Sequence, residues 1–393
     1  MQKILLVGYG GGHINMLLPV AKKLQELNFE VVFFALTTAI DKLNNSEFTY
    51  YTYKDFFYSD RVQKYGKELI KELETVKLDD EESIAYLGQN YLELVEKFGE
   101  SEAKALYQKS QRQIFEPIKS MEYVLQQIKP DIIVSTNAPR SEKCVIQAAA
   151  KLNIKSIALI DLFAIRCVDW FKENSFASKV CVFSDDVKEY LVEHGRFSKD
   201  IIVTGNPVLD KLINLENKCR PKKNFRVLWA SQKEPEYFAE FDIEGDPELP
   251  LKIEKKLLEI FKNREWELVI RNHPNEESRE YPDFVEVSSI STSLVETLQN
   301  VDLVVTCTST VGLEGVILGK ELITIDMSVF TPTIPFSKYG YSKGVSSLDS
   351  LEENIMDVYN NRSCKLENKK RYDIKDATQN VVDVIINLLK EKQ

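Results

Sequence analysis

Short, unbroken apolar runs at residues 4–7, 31–35, 132–135, 156–160, 180–183 and 201–204 punctuate the first half of the chain, with helix-length stretches between them. A strand covered on one face alternates apolar and polar residues, whereas a continuous run needs cover on both faces. That is the condition of a parallel sheet wrapped by helices. A second series follows at residues 227–230, 268–270, 284–287, 303–306 and 322–325. The pattern predicts two parallel-sheet α/β domains in tandem. A chain of 393 residues has the length for two cores.

The two series are separated by residues 214–224, a polar, basic stretch with Pro221 and no helical or strand period. The expected domains are therefore 1–212 and 225–371. From 372 to 393 the chain reads as an amphipathic helix with Val381, Val384, Ile385, Leu388 and Leu389 on one face, expected to pack back on the N-terminal domain. Between about 60 and 127 the sequence is rich in Lys, Glu, Leu and Tyr and has no strand-like run. This is longer than a crossover needs and reads as inserted helices, serving as structural cover, dimer contact or acceptor binding.

A net charge of -10 repels phosphate backbones and excludes a nucleic-acid polymer as the expected partner, while leaving room for a small nucleotide in a local basic cleft. Hydrophobic residues at 44% and charged residues at 28% exclude a largely disordered chain. The first apolar run is too short for a signal-peptide core or a membrane span, so a cytoplasmic protein is expected. Cys144, Cys167, Cys181, Cys219, Cys307 and Cys364 are scattered without a C-x-x-C pair. They read as buried free thiols and point to neither zinc nor a disulfide scaffold.

The first strand ends in Gly8-Tyr9-Gly10-Gly11-Gly12-His13, followed by a helical pattern. Glycines let backbone amides approach a ligand, and a helix amino terminus favours negative charge. The dinucleotide fingerprint needs glycine where His13 stands, and the second strand ends in Leu36-Thr37-Thr38 without a ribose-binding acid, which excludes NAD. In such a loop His13 is a candidate general base, or else a donor to loop carbonyls. His194, before Gly195, reads as a helix end, and Ser184-Asp185-Asp186 as a helix start with a capping serine rather than a metal motif. No metal and no cofactor are expected.

In the second half, the run ending at Ile270 leads into Arg271-Asn272-His273-Pro274-Asn275. Three donors at the carboxyl end of a parallel strand stand where open α/β sheets bind ligands, and Pro274 biases His273 to an extended backbone. The run at 303–306 leads into Cys307-Thr308-Ser309-Thr310, followed by Glu314. Hydroxyls and amides at that helix start form a neutral phosphate cradle, and Glu314 is placed to accept hydrogen bonds from ribose hydroxyls. The plainer alternative makes Ser309 an N-cap and Glu314 a solvated helix residue.

Taken in order, Gly10–His13, Thr204-Gly205-Asn206-Pro207, Asn272-His273-Pro274-Asn275 and residues 308–314 resemble the superfamily of GT-B glycosyltransferases and UDP-N-acetylglucosamine 2-epimerases. The resemblance implies two Rossmann-like domains facing across a cleft. The glycine loop is similar to the acceptor-domain loop of the peptidoglycan N-acetylglucosaminyltransferase, which implies that Gly11 and Gly12 face the donor phosphates. His273-Pro274 and the Ser/Thr segment are similar to motifs of bacterial sialyltransferases and capsule enzymes, so CMP- and UDP-linked donors are both open. The epimerases carry a Gly-Thr-Arg-Pro-Glu element where this chain has Tyr9–His13, and a His-Val-Glu-Ala-Gly element where it has Ala158-Leu159-Ile160-Asp161.

What the resemblance implies is a metal-independent glycosyltransferase moving a sugar to a hydroxyl of a surface-glycan or lipid-linked acceptor, with capsule or lipopolysaccharide synthesis as its setting. Ser309, Thr310 and Arg271 or His273 would stabilise the departing phosphate, and His13 or Asp161 would take the acceptor proton. Phe56, Phe57 and Tyr58 could touch a lipid-linked acceptor and bring the protein to a membrane surface. The alternatives are an epimerase-like enzyme and a sugar-nucleotide-binding protein without chemistry.

Overall fold

The computed structural model describes residues 1–72, 80–215, 224–273, 276, 279–289, 291–361, 372 and 374–391. Contacts divide the chain into two compact units, Met1–Val208 with Asp376–Gln393, and Leu209–Lys375. The division falls ahead of the polar stretch at 214–224. Leu209 and Leu212 are buried, and the short helix Asp210–Ile213 packs against the helix Thr310–Ile317, so these residues belong with the second core. Residues 216–223, with Cys219 and Pro221, lie outside the described residues, as do Pro274, Asn275 and Cys364.

The first unit is built on β1 (Lys3–Gly8), β2 (Glu30–Ala35), β3 (Thr49–Tyr51), β4 (Ile132–Ser135), β5 (Lys155–Leu159), β6 (Lys179–Val182) and β7 (Ile201–Val203). They pair in the order β3-β2-β1-β4-β5-β6-β7, every pair parallel. Ile4, Leu5, Leu6 and Val7 have no exposed surface, so both faces of β1 are covered, as its unbroken apolar run requires. The strand β3 has the sequence Thr-Tyr-Tyr with its first and last residues exposed, which is why no apolar run announces it.

The last helix, Ala377–Lys390, joins this first core: Val381, Val382, Ile385 and Leu388 pack with Ile14, Leu17, Val20 and Leu24 of the helix Gly12–Glu26. Each such side chain contributes about 1.5–3 kcal/mol of transfer free energy. Asn380 donates to the Thr204 carbonyl at 3.1 Å, and Lys155 donates to the Leu388 carbonyl at 2.8 Å, satisfying a group the helix end leaves open.

The insertion folds as the helices Asp60–Leu69, Asp80–Phe98, Glu100–Ser110 and Ile118–Ile128. The first two cross at glycines. A Cβ on Gly66 would lie 2.2 Å from the Ile84 carbonyl oxygen and one on Gly88 2.0 Å from that of Val62, so no larger residue permits this approach. Phe57 is buried beneath this layer, and Tyr58 is 78% exposed. The apolar patch expected at 56–58 is therefore reduced to Tyr58 and a half-buried Phe56, because Phe57 is spent on the core.

The second unit carries β8 (Arg226–Ala230), β9 (Tyr237–Phe238), β10 (Ile243–Glu244), β11 (Glu267–Arg271), β12 (Val285–Val287), β13 (Leu303–Thr306), β14 (Glu321–Ile325) and β15 (Lys343–Val345). The main sheet runs β12-β11-β8-β13-β14-β15, all parallel, and β9 with β10 makes a small antiparallel hairpin. Each unit thus starts with a strand near the middle of its sheet, flanked by an earlier-growing and a later-growing half. Loops diverge at that switch point and leave a crevice at the strands' carboxyl ends. Among the described residues no helix is long and apolar enough to cross a membrane.

Candidate functional site

In the first unit the switch point lies between β1 and β4, and the glycine loop leaves β1 there. Gly11 has φ +69°, a conformation side chains rarely adopt, and a Cβ on Gly10 would stand 1.8 Å from Thr38 Oγ1. The loop is thereby pressed against the end of β2 while Gly11 and Gly12 stay exposed. His13 follows in the first turn of the helix Gly12–Glu26 and turns toward the loop after β4.

There the His13 ring meets a buried acid. Its Nδ1 lies 2.6 Å from Thr136 Oγ1 and 3.1 Å from Glu142 Oε2, and the Glu142 side chain is fully buried. The same carboxylate accepts from the Tyr9 amide at 2.7 Å and the Ala138 amide at 2.6 Å. Glu142 therefore ties the β1 loop, the β4 loop and the imidazole into one unit. Burial pulls the His13 pKa down, but the charge and hydrogen bond of Glu142, with the charge of Asp161, outweigh it and raise the pKa to about 9. With Nδ1 turned to Thr136 and Glu142, Nε2 is left for a ligand.

Asp161 follows β5, one strand further from the switch point. Its Oδ1 accepts from Asn137 Nδ2 at 3.0 Å and from the Leu162 amide at 2.8 Å. Asn206 donates to the Asp161 carbonyl at 2.8 Å, so the Gly205-Asn206 turn buttresses this loop from below. His13 and Asp161 are thus brought to the carboxyl ends of β1 and β5 in one unit, close enough for Asp161 to act on the His13 charge.

In the second unit the switch point lies between β8 and β13. Gln232, after β8, accepts from the Thr308 amide at 3.0 Å and donates to Thr308 Oγ1 at 2.9 Å, stitching the two loops together. Ser309 caps the helix Thr310–Ile317, its Oγ accepting from the Val311 amide at 3.3 Å. The serine is thus an N-cap, as the plainer reading holds, and the helix start it caps also lies at the crevice. Gly312 and Gly315 are buried against Thr306, Leu322 and Val304, where a Cβ would come within 2.8 Å of a neighbour. The helix sits close on the sheet for that reason.

Glu314 is half-buried rather than solvated, and burial raises its pKa to about 7, with Arg271 pulling the other way. Among the described residues its carboxyl makes no hydrogen bond and so has capacity for a ligand. Arg271, at the end of β11, spends one nitrogen on the loop after β12: Nη1 donates to Ser288 Oγ, the Ser289 carbonyl and the Thr292 carbonyl at 2.8–3.1 Å. Burial lowers its pKa and the charge of Glu314 opposes that. His273 is exposed, and its backbone amide is caught by Glu276 Oε2 at 2.7 Å.

One reading of the sequence needs correction in detail. Ser184 stands at the N-cap of the helix Asp185–Glu193, yet its buried hydroxyl makes no capping bond. The acidic pair Asp185 and Asp186 alone complements the helix dipole. His194 does end this helix, its Nδ1 2.7 Å from the Tyr190 carbonyl, with Gly195 at φ +105° beyond it. Cys144, Cys167, Cys181 and Cys307 are buried free thiols, and burial pushes the Cys181 thiol up to about 12. Among the described residues no three His, Cys, Asp or Glu side chains are grouped to hold a metal ion.

Sequence reasoning passed over Glu142, Thr136, Asn137 and Gln232. An acid in the first turn of a helix is the ordinary complement of its dipole, and nothing in Ser141-Glu142 marks it otherwise. The one available signal is the pairing of β1 with β4, which brings the segment after residue 135 beside His13.

Two doubly wound parallel sheets, each with polar side chains gathered at its switch point, are the GT-B fold of glycosyltransferases and UDP-sugar epimerases. Comparison with solved structures returns that class along the whole chain. The UDP-GlcNAc 2-epimerase of Methanocaldococcus jannaschii matches at a TM-score of 0.59 and 13% identity, covering 98% of this chain and 100% of that one. The UDP-GlcNAc 2-epimerase of Neisseria meningitidis bound to UDP-GlcNAc matches at 0.61 and 15%, with the same coverage. MurG of Acinetobacter baumannii matches at 0.56 and 13%, again covering 98% and 100%. At such identity the likeness shows the fold. No protein-family model matches the sequence, and no curated protein matches it.

Proposed function

We propose that the protein is a cytoplasmic, metal-independent glycosyltransferase that moves a sugar from a nucleotide-sugar donor to an acceptor hydroxyl, with the donor on the second unit and the acceptor on the first. The observation that carries this is the His13–Glu142 pair beside the glycine loop: an imidazole oriented by a buried carboxylate, its other nitrogen left for a ligand. A uridine nucleotide is the favoured donor base, because a structural neighbour binds UDP-GlcNAc. Thr308, Ser309 and Thr310 cradle its phosphates, Arg271 offsets their charge or His273 donates a hydrogen bond to them, and Glu314 takes the ribose hydroxyls.

In the step itself the acceptor oxygen attacks the anomeric carbon, the bond from that carbon to the phosphate oxygen breaks, and the nucleotide departs with the electron pair. The acceptor proton passes to Nε2 of His13. With a pKa of about 9, His13 is neutral in about one part in a hundred at pH 7, so the rate should climb roughly tenfold per pH unit toward 9. Asp161 is the competing base.

A second reading rests on the epimerase neighbours and on the two carboxylates, Glu142 and Asp161, that flank His13 in the first unit. Incubation with UDP-GlcNAc separates the two. Without acceptor, appearance of the 2-epimer marks an epimerase; with a hydroxyl acceptor, stoichiometric UDP release and a glycosylated product mark a transferase. His13→Ala should cut turnover at least a hundredfold while UDP affinity stays within twofold. Turnover near wild type removes His13 from the mechanism.

A further inference from the structure

Beside the His13–Glu142 pair, and not used by it, stands Arg140. It sits at the N-cap of the helix Ser141–Lys151 with φ +70° and ψ -120°, a conformation that glycine takes freely and other residues take at a cost. Among the described residues no carboxylate pairs with its guanidinium, and its Nε is buried without a hydrogen bond. The groups acting on Arg140 are Tyr86, Tyr9 and Tyr53, which more than offset its burial and raise its pKa.

The tyrosines come from separate parts of the unit. Tyr9 belongs to the glycine loop, and its ring centre lies 5.6 Å from the Arg140 guanidinium carbon. Its hydroxyl is buried without a hydrogen bond of ordinary geometry, although it stands close enough to Tyr86 and Arg140 to perturb both. Tyr86 comes from the inserted helix Asp80–Phe98 and has a second cation, Arg112, within electrostatic reach. Tyr53 is fully buried and fixed by a 2.8 Å hydrogen bond to Ser141 Oγ. A part-buried guanidinium with no counter-ion and an unpaired Nε is expensive unless a ligand completes it. The fork of N–H donors that Arg presents fits the oxygens of a carboxylate or phosphate.

We propose that Arg140 and the Tyr9 hydroxyl, walled by Tyr86, bind an oxyanion carried by the acceptor, so that the acceptor sugar bears a carboxylate or a phosphate. The proposal rests on the reading of the first unit as the acceptor side. It also gives the helical insertion a part in recognition, since Tyr86 arrives on it.

The test is calorimetric titration of the full chain with glucuronic acid, glucose 1-phosphate and glucose, with UDP titrated separately. The wild type should bind one of the charged sugars at least tenfold tighter than glucose, and which one distinguishes carboxylate from phosphate. Arg140→Gly should bring that sugar to within twofold of glucose while leaving UDP affinity within twofold. Its melting temperature should be no lower than wild type, because glycine relaxes the backbone at this position. Arg140→Lys, which keeps the charge without the fork, should fall between the two, and Tyr9→Phe should weaken the charged sugar severalfold.

Charged sugars binding no better than glucose while UDP binds would overturn this inference and leave the proposed function standing. Failure of UDP to bind the wild type would count against the proposed function instead. Loss of UDP affinity in Arg140→Gly would assign the oxyanion to the donor and sink the acceptor subsite. A lowered melting temperature with the charge preference intact would make Arg140 a structural residue.

Discussion

Replacing Glu142 by glutamine should turn His13 from a cation into a neutral ring at physiological pH. In the native protein the pKa of His13 is raised from 6.5 to about 9, against burial, chiefly by the charge and hydrogen bond of Glu142. Without that charge burial prevails, and the value should drop below 6.5. The shift of about 2.5 units corresponds to roughly 3 kcal/mol at most in favour of the charged ring. A raised folded-state pKa contributes stability that is fully present below the unfolded value and is lost as pH rises through the folded one. The His13 contribution is thus whole at pH 6 and gone by pH 10.

Glutamine brings a second cost that does not depend on pH. Glu142 accepts from the Tyr9 amide on Oε1 and from the Ala138 amide on Oε2, and an amide side chain must turn its NH2 toward one of them. A buried donor facing a donor costs about 1–3 kcal/mol. Glu142→Gln should therefore lose roughly 4–6 kcal/mol at pH 6 and only about 1–3 kcal/mol at pH 10. Denaturant unfolding at the two pH values reads this difference. Proton NMR titration of the three histidines, with His13 identified by its absence in His13→Ala, reads the pKa directly. If His13 titrates near 6.5 in both proteins, the coupling to Glu142 is refuted, and with it the expected rise of rate toward pH 9.

The second unit offers a parallel case. Because the Glu314 pKa is raised to about 7, a carboxylate role toward ribose predicts UDP affinity that increases between pH 6 and pH 8, and Glu314→Gln should flatten that dependence and weaken binding about tenfold. Calorimetry across that range checks it, and a pH-independent affinity in the wild type removes Glu314 from the ribose. In the first unit, Gly10→Ala should cost about 1–3 kcal/mol, since the new methyl meets both the side chain and the backbone carbon of Thr38. A thermal melt identical to wild type would show the loop free to move away.

How much of this was legible before folding depends on how local each feature is. The covered strands were readable because a parallel sheet needs apolar residues in unbroken runs, and β1, β4, β8 and β13 are such runs, each fully buried. The amphipathic C-terminal helix was readable from its period. The strands β3 and β15 were not, for Thr-Tyr-Tyr and Lys-Gly-Val contain no run of aliphatic residues to announce a strand. Nor was the end of the first unit, since nothing local tells which of two cores Leu209 and Leu212 will join.

The candidate site divides along the same line. The glycine loop with His13, and the Thr308–Glu314 helix start, are contiguous segments whose chemistry is written in neighbouring residues, so the sequence by itself singled them out as candidates. Glu142 and Arg140 could be recognised only after the pairing of β1 with β4 had carried residues more than a hundred positions away to the edge of the glycine loop. A carboxylate or a guanidinium in isolation is an ordinary surface group. Burial, a partner at hydrogen-bond distance, or the lack of one is what gives it a role, and those are properties of the tertiary structure alone.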